Sequence, residues 1–308
     1  MEILKICVTF DVDFTNYLVE GWSDVDEFES TFHSILSFLE KEKEIKATWF
    51  IRLDSQMEAL YGEADYVFRR YREELHHLSL TGHEIGWHPH FYVKEEGSWR
   101  QSCKIANILD ELIRYAPMAR YYGMKSVRMG WGFHTNETMR LLADLRFEID
   151  SSAMPRPRYP WEDTKKDWRL TPVVPYYPSG IDYRIPGKPN LPILEIPMSV
   201  ALVKAPYDNG PILRYINLAY HPDLLRGSLE DWFRQYSHLI TITHPYELLP
   251  GGESHGLLAL NLNAFEQNLQ TIKNIASEKG GLGSFLTLCE FATTYGGENH
   301  ESSKPANL

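Results

Sequence analysis

The sequence is short of cysteine. Its 308 residues hold three, Cys7, Cys103 and Cys289, widely scattered and without Cys-x-x-Cys spacing. An odd, dispersed set excludes a disulfide framework and a cysteine metal site, and leaves buried reduced thiols as the reading. The chain also lacks any apolar run near the ~20 residues a transmembrane helix needs. It has no cluster of lysine and arginine, and its formal net charge is -11. Without a concentrated basic face there is nothing for a phosphate backbone to dock on, so a nucleic-acid partner is excluded. No internal repeat, low-complexity tract or clean linker divides the chain. With 43% hydrophobic and 24% charged residues, the composition is that of a globular protein. The opening "MEILKICVTF" has an acidic second residue and runs directly into a strand, leaving no room for a cleaved signal peptide. A cytoplasmic location is the expectation.

What is present is alternation. "VTFDVDF" reads as a buried strand, and Phe28, Phe32, Ile35, Leu36 and Leu39 then recur at helical spacing before the β-rich "IKATWFIR". An amphipathic stretch near residues 63 to 80 precedes "HEIGWHPHFY". Ile105, Ile108, Leu109 and Leu112 mark a helix before "KSVRMGWG", and Asn136 is placed to cap a helix before "RFEIDSS". From Pro155 to Pro197 the prolines forbid a central strand or helix for most of the length, which predicts long surface loops. "ILEIPMSVALV", "LEDWFRQYSHL", "LITITHPYE", a helix carrying Phe265, Leu269 and Ile272, and "SFLTLCEFA" resume the rhythm. Seven or eight β-α units imply a parallel barrel or a doubly wound sheet, because a parallel connection needs a crossover helix. The expected organisation is one domain over residues 1–295 with a loop insertion at about 153–192, and a disordered tail over 296–308.

In such folds the working residues stand at the carboxyl ends of strands. Five polar groups here sit where an expected strand meets a loop: Asp11 with Asp13, His88 with His90, Arg128, Asp150, and His244. The two-residue period of a strand puts Asp11 and Asp13 on one side, and two like charges that close need a cation or a shared proton. In "WHPHF" two imidazoles flank a proline, so both rings can face one point. Asp13, His88 and His90 then supply the three protein ligands, with one open position, of a catalytic zinc-type ion. A buried Arg128 must be paired, most naturally with Asp11. His244 reads as a general acid, a ligand or a core histidine, and Asp150 as its orienting partner or a loop cap with Ser151 and Ser152.

Taken in order, "TFDVD", "ATWF", "GHEIGWHPH", "VRMGWG", "FEIDSS" and "THPYE" resemble the polysaccharide deacetylases of carbohydrate esterase family 4, in a sub-branch with an FDxD opening. The resemblance spans roughly residues 5 to 295. It implies a distorted (β/α) barrel, often seven-stranded, and a metal-dependent hydrolase that removes an acetyl group from an N-acetylated amino sugar. It further implies that Asp11 is the general base, Asp13 a metal ligand, Arg128 the residue that positions the base and His244 the general acid, with Asp150 on the strand of the fourth motif. The implied cofactor is a divalent ion, zinc before cobalt or nickel, and the implied partner is a small-molecule or oligosaccharide amino sugar; the expected cytoplasmic location puts that sugar in surface polysaccharide or glycoconjugate biosynthesis. The chain departs from the family where Val12 separates the aspartates. It departs again where the histidines stand two apart rather than four, since the fourth position after His88 is Tyr92. The Asp-Trp pair expected near Asp150 occurs only further on, at Asp167 and Trp168. Tyr159, Trp161, Trp168, Tyr176, Tyr177 and Tyr183 crowd the proline-rich segment and suit either sugar stacking or loop packing. Alternatives are an allantoinase-like amide hydrolase of a small non-sugar substrate, a carbohydrate-binding protein without catalysis, and a glycosidase recruiting Glu247 or Glu195.

Overall fold

The computed structural model of the 308-residue chain describes residues 3–13, 25–155, 167–249, 256–279, 281 and 283–295. Eight strands build its main sheet. They are β1 (Lys5–Val12), β2 (Ala47–Arg52), β3 (Glu84–His88), β4 (Ser126–Val127), β5 (Ile149–Asp150), β6 (Leu194–Glu195), β7 (His238–Ile240) and β8 (Ser284–Phe285). In the order β7-β1-β2-β3-β4-β5-β6, seven of them run parallel and curl into a half-barrel surrounded by helices, while β8 pairs with the first residues of β1. This is the distorted (β/α) barrel, with the expected seven strands. Between β6 and β7 the ladder is replaced by Ser199, whose N–H donates to the Ile240 carbonyl and whose Oγ accepts the Ile240 N–H, both at 2.9 Å.

A parallel strand covered on both faces must be apolar on both, and β1 shows how the two faces are used. Ile6, Val8, Phe10 and Val12 pack between sheet and helices. Cys7 joins Phe50, Ile149, Leu194 and Ile240 inside the barrel, against Leu288 and Phe291 of the helix Leu288–Tyr295. Along the inward face the residue type changes with height: Cys7, Thr9 and Asp11 on β1, Thr48, Phe50 and Arg52 on β2, Gly86 and His88 on β3. Apolar filling at the amino end gives way to charge at the carboxyl end. Gly86 is required by that filling, because a Cβ there would approach Ser126 Oγ to 2.6 Å and Phe50 ring atoms to 2.7–2.8 Å.

Local structure departs from the sequence expectations at four places. Residues 63 to 80 form two short helices, Tyr66–Arg70 and Arg72–Leu80. The helix expected to be capped by Asn136 is capped one residue earlier by Thr135, in a reciprocal pair with Thr138, while Asn136 Oδ1 accepts the Tyr183 N–H at 2.9 Å. Two antiparallel hairpins, Tyr92–Glu95 with Ser98–Gln101 and Val200–Val203 with Ile212–Tyr215, lie off the barrel. The described part of the proline-rich segment is packed in places and superficial in others, with Leu170, Tyr177 and Ile181 exposed. Trp168, Tyr176 and Tyr183 are buried, and Tyr176 exchanges both backbone hydrogen bonds with Glu195, covering the edge strand β6. Tyr159, Trp161 and the tail 296–308 lie outside the described residues. Among the described residues, no helix is long and apolar enough to cross a membrane.

Candidate metal and acid–base site

The polar residues that end the inward faces of β1, β2 and β3 meet at the carboxyl mouth of the barrel. Asp13 Oδ2 lies 3.3 Å from His90 Nε2 and 3.7 Å from His88 Nε2, and the two Nε2 atoms are 3.1 Å apart. All three side chains are buried. A tetrahedral ion with bonds of about 2.0–2.1 Å has ligand–ligand edges of about 3.4 Å, so the three separations fit one small divalent ion. Among the described residues this is the one group of three or more His, Cys, Asp or Glu with that convergence. His88 Nδ1 lies 2.7 Å from the Arg128 carbonyl, an acceptor only, so Nδ1 carries the proton and Nε2 presents its lone pair. The His90 ring is kept neutral: burial, backed by the charge of Arg52, outweighs the pull of Asp13 and takes its pKa down to about 4. Two neutral imidazoles and a carboxylate are the donor set of a zinc-type site.

The proline between the histidines makes this possible at a spacing of two. His88 ends β3, Pro89 accepts the Gly130 N–H at 2.9 Å, and His90 turns back to the same point. Tyr92, at the position of the missing histidine, stacks on the His90 ring with centroids 5.1 Å apart, and its hydroxyl accepts the Trp131 indole N–H at 2.7 Å. Trp131 holds a left-handed backbone at φ 59°, a conformation that persists in a large residue only where its surroundings impose it. Gly130 lies against His90, and a Cβ there would meet ring atoms at 2.6–2.7 Å. Gly130→Ala is therefore expected to displace His90 and lower turnover by on the order of 100-fold, the scale of an ångström-sized misplacement. Steady-state kinetics at saturating metal would check it; an unchanged kcat would show that the ring has room to yield.

Asp11 stands beside this group. Its Oδ2 is 3.9 Å from His88 Nε2, and its Oδ1 accepts from Arg128 Nη1 at 2.8 Å. Four of the five Arg128 N–H groups have acceptors: Nη1 also donates to Thr9 Oγ1 at 2.6 Å, Nε to the Ser151 carbonyl at 2.8 Å and Nη2 to Ser151 Oγ at 2.9 Å, with the guanidinium 4.3 Å above the Phe50 ring. His244 follows β7 with Nδ1 3.2 Å from Glu247 Oε2; that same oxygen accepts the His244 N–H and the Asn217 amide, both at 2.8 Å. Burial disfavours the charged ring, but Glu247, and beyond it Asp11 and Asp13, outweigh it and raise the His244 pKa to about 9.

Asp150, expected to orient His244 or to cap the loop with Ser151 and Ser152, stands apart from this group and bonds to Ser152. In the ladder it pairs with Val127 on one side and Glu195 on the other, and Val127 pairs with Trp87, so these residues face the helices rather than the barrel. Asp150 is fully buried there, ion-paired to His134 Nε2 at 2.9 Å and accepting from Ser152 Oγ at 2.5 Å. The carboxylate that orients His244 is Glu247, and the residue of that strand end that reaches Arg128 is Ser151. Trp168 belongs to the same outer cluster, donating to the Gly132 carbonyl at 2.8 Å and standing edge-on to His134. Asp167 is engaged with Arg169 and Arg184. Sequence reading also missed Arg52 and Asp54, although Arg52 ends β2 and the strand-end rule pointed to it.

No protein-family model matches the chain, and a comparison with curated proteins returns no significant match. Among solved structures, a candidate polysaccharide deacetylase from Mycobacterium smegmatis superimposes with a TM-score of 0.54 at 15% identity, over 100% of this chain and 96% of the other. A 4-alpha-glucanotransferase from Thermococcus litoralis gives 0.50 at 12% identity, over 95% of this chain and 40% of that longer one. A family 4 carbohydrate esterase from Streptomyces lividans, in complex with acetate, gives 0.40 at 10% identity, over 92% and 91%. At these identities the likeness is one of fold. The class of protein defined is thus a distorted (β/α) barrel with the architecture found among polysaccharide deacetylases.

Proposed function

We propose that the protein is a metal-dependent hydrolase that removes an acetyl group from an N-acetylated amino sugar. The observation that carries this reading is the meeting, at one barrel mouth, of a buried Asp-His-His donor set with an arginine-held carboxylate and a glutamate-held imidazole. Asp13, His88 and His90 would hold a divalent ion, which would supply polarisation of the acyl group and a more acidic water. Asp11, aimed by the hydrogen bond from Arg128, takes the proton from the attacking water. His244, charged at neutral pH, gives its proton to the departing nitrogen, because an amine is too basic to leave as an anion. Glu247 Oε2 stands 3.2 Å from Nδ1 as the counter-charge of the ring, on the side away from Nε2, the atom left for that transfer. Trp131, half exposed at the rim, adds a flat face suited to a sugar ring. The comparison with a candidate polysaccharide deacetylase supports the choice of an acetylated sugar.

The test is acetate release from N-acetylglucosamine and its oligomers with zinc, cobalt or nickel supplied, followed across pH. Turnover is expected to fall on the alkaline side with an apparent pKa near 9, since His244 loses its proton as pH rises through that value. In Glu247→Gln that limb is expected to move down toward the ordinary histidine value of about 6.5. Absence of acetate release from every N-acetylated sugar, with metal bound, would remove the proposal; an alkaline limb unmoved in the Glu247 variant would remove His244 as the acid.

A further inference from the structure

Arg52 has no part in the chemistry above, yet it is wholly buried beside it. It ends β2 on the inward face, and its fork is taken by Asp54: Nε donates to Oδ2 at 2.5 Å and Nη2 to Oδ1 at 2.9 Å, with a further bond from Nη2 to Gln56 Oε1 at 2.9 Å. What remains, Nη1, donates to Asp13 Oδ1 at 3.3 Å. The other oxygen of Asp13 is the one that faces His88 and His90. Asp54 is anchored in turn. It caps the helix Ser55–Tyr61 by accepting the Gln56 and Met57 N–H groups on Oδ1, and its Oδ2 accepts the His90 N–H at 3.3 Å. The Arg52 guanidinium also stands 5.8 Å from the centroid of the Tyr92 ring that stacks on His90.

From this geometry we infer that Arg52 and Asp54 are positioning residues that set the affinity of the metal group, a reading that rests on Asp13, His88 and His90 holding an ion. One rigid pair ties down two ligands from opposite strands: Arg52 decides which oxygen of Asp13 is offered, and Asp54 fixes the backbone of the loop that carries His90. Arginine suits the task because its planar fork reaches Asp54 with two nitrogens and presents the third, in the same plane, to Asp13; an ammonium group cannot do both. Asp54 balances the guanidinium charge, so the negative charge of Asp13 stays available to a cation. Outer hydrogen-bond partners of metal ligands commonly govern affinity in this way.

The test is calorimetric titration of the metal-free full chain with zinc and with cobalt, comparing wild type, Arg52→Lys and the double variant Arg52→Met with Asp54→Asn. The double variant removes both charges together, and asparagine keeps a capping oxygen for the helix. It is expected to bind both ions about 10- to 100-fold more weakly, while its metal-free melting temperature stays within a few degrees of metal-free wild type. Arg52→Lys is expected to fall in between. Binding within twofold of wild type would overturn the inference, as would a metal-free melting temperature that collapses in step with affinity, the mark of a purely structural role. A wild type that binds neither ion would overturn the metal reading of the site and this inference with it. Tight binding by wild type and variants alike would remove the role of Arg52 and Asp54 alone.

Discussion

Asp11→Asn is expected to lower kcat by on the order of 1,000-fold, within the range that a positioned base contributes, while bound metal stays in place. The amide keeps an oxygen for Arg128 Nη1 but cannot accept the proton of an attacking water. Asp11 is not one of the three converging ligands, and its Oδ2 stands 3.9 Å from His88 Nε2. Stability is expected to drop as well, by about 3 kcal/mol, because the change leaves a buried guanidinium without its counter-charge; the bonds to Thr9 and Ser151 keep Arg128 in place. Three measurements decide it: kcat from acetate release, metal content by elemental analysis, and the unfolding free energy. Full turnover would remove Asp11 as the base, and metal lost in proportion to activity would make it a ligand instead.

The second large effect concerns the metal group. His88→Ala and His90→Ala are each expected to weaken zinc binding by more than about 100-fold, since even the outer partners of ligands are worth 10- to 100-fold. At limiting metal, turnover should fall to background in both. The two variants are expected to differ in one respect. Loss of His88 also frees the Arg128 carbonyl that its Nδ1 engages, whereas loss of His90 frees the face of Tyr92. His88→Ala should therefore cost more stability in the absence of metal. If neither substitution reduces bound metal, the Asp-His-His group is not the metal site.

Much of this site was legible in the chain because strand parity is a local property. Asp11 and Asp13 face one way because a strand repeats every two residues, and His88 and His90 converge because Pro89 turns the chain between them. The same rule misled at "FEIDSS". Parity says only that Asp150 and Ser151 face opposite ways; which of them faces the barrel depends on the register of β5 against β4. That register pairs Val127 with Asp150 and sends the acid outward to His134. Glu247 was legible only as a neighbour three residues from His244. Its role depends on the turn Pro245–Leu248, which folds its carboxylate back onto the His244 ring and N–H. Arg52 lay within reach of the strand-end rule, but its ties to Asp13 and, through Asp54, to His90 depend on setting β2 between β1 and β3.

The sequence by itself determined the alternation of strands and helices, a parallel sheet, and the residue types at the carboxyl ends of its strands, because hydrophobic period and chain reversal are written in near neighbours. The tertiary structure brings Arg128 to Asp11, the partner expected from the sequence, and alone decided the other pairings: Arg128 with Ser151, His244 with Glu247, Asp150 with His134, Arg52 with Asp54 and Asp13. A buried charge must find its partner wherever register and packing bring one: Arg128 and Asp11 are 117 residues apart in the chain, Arg52 and Asp13 39, and Arg128 and Ser151 23.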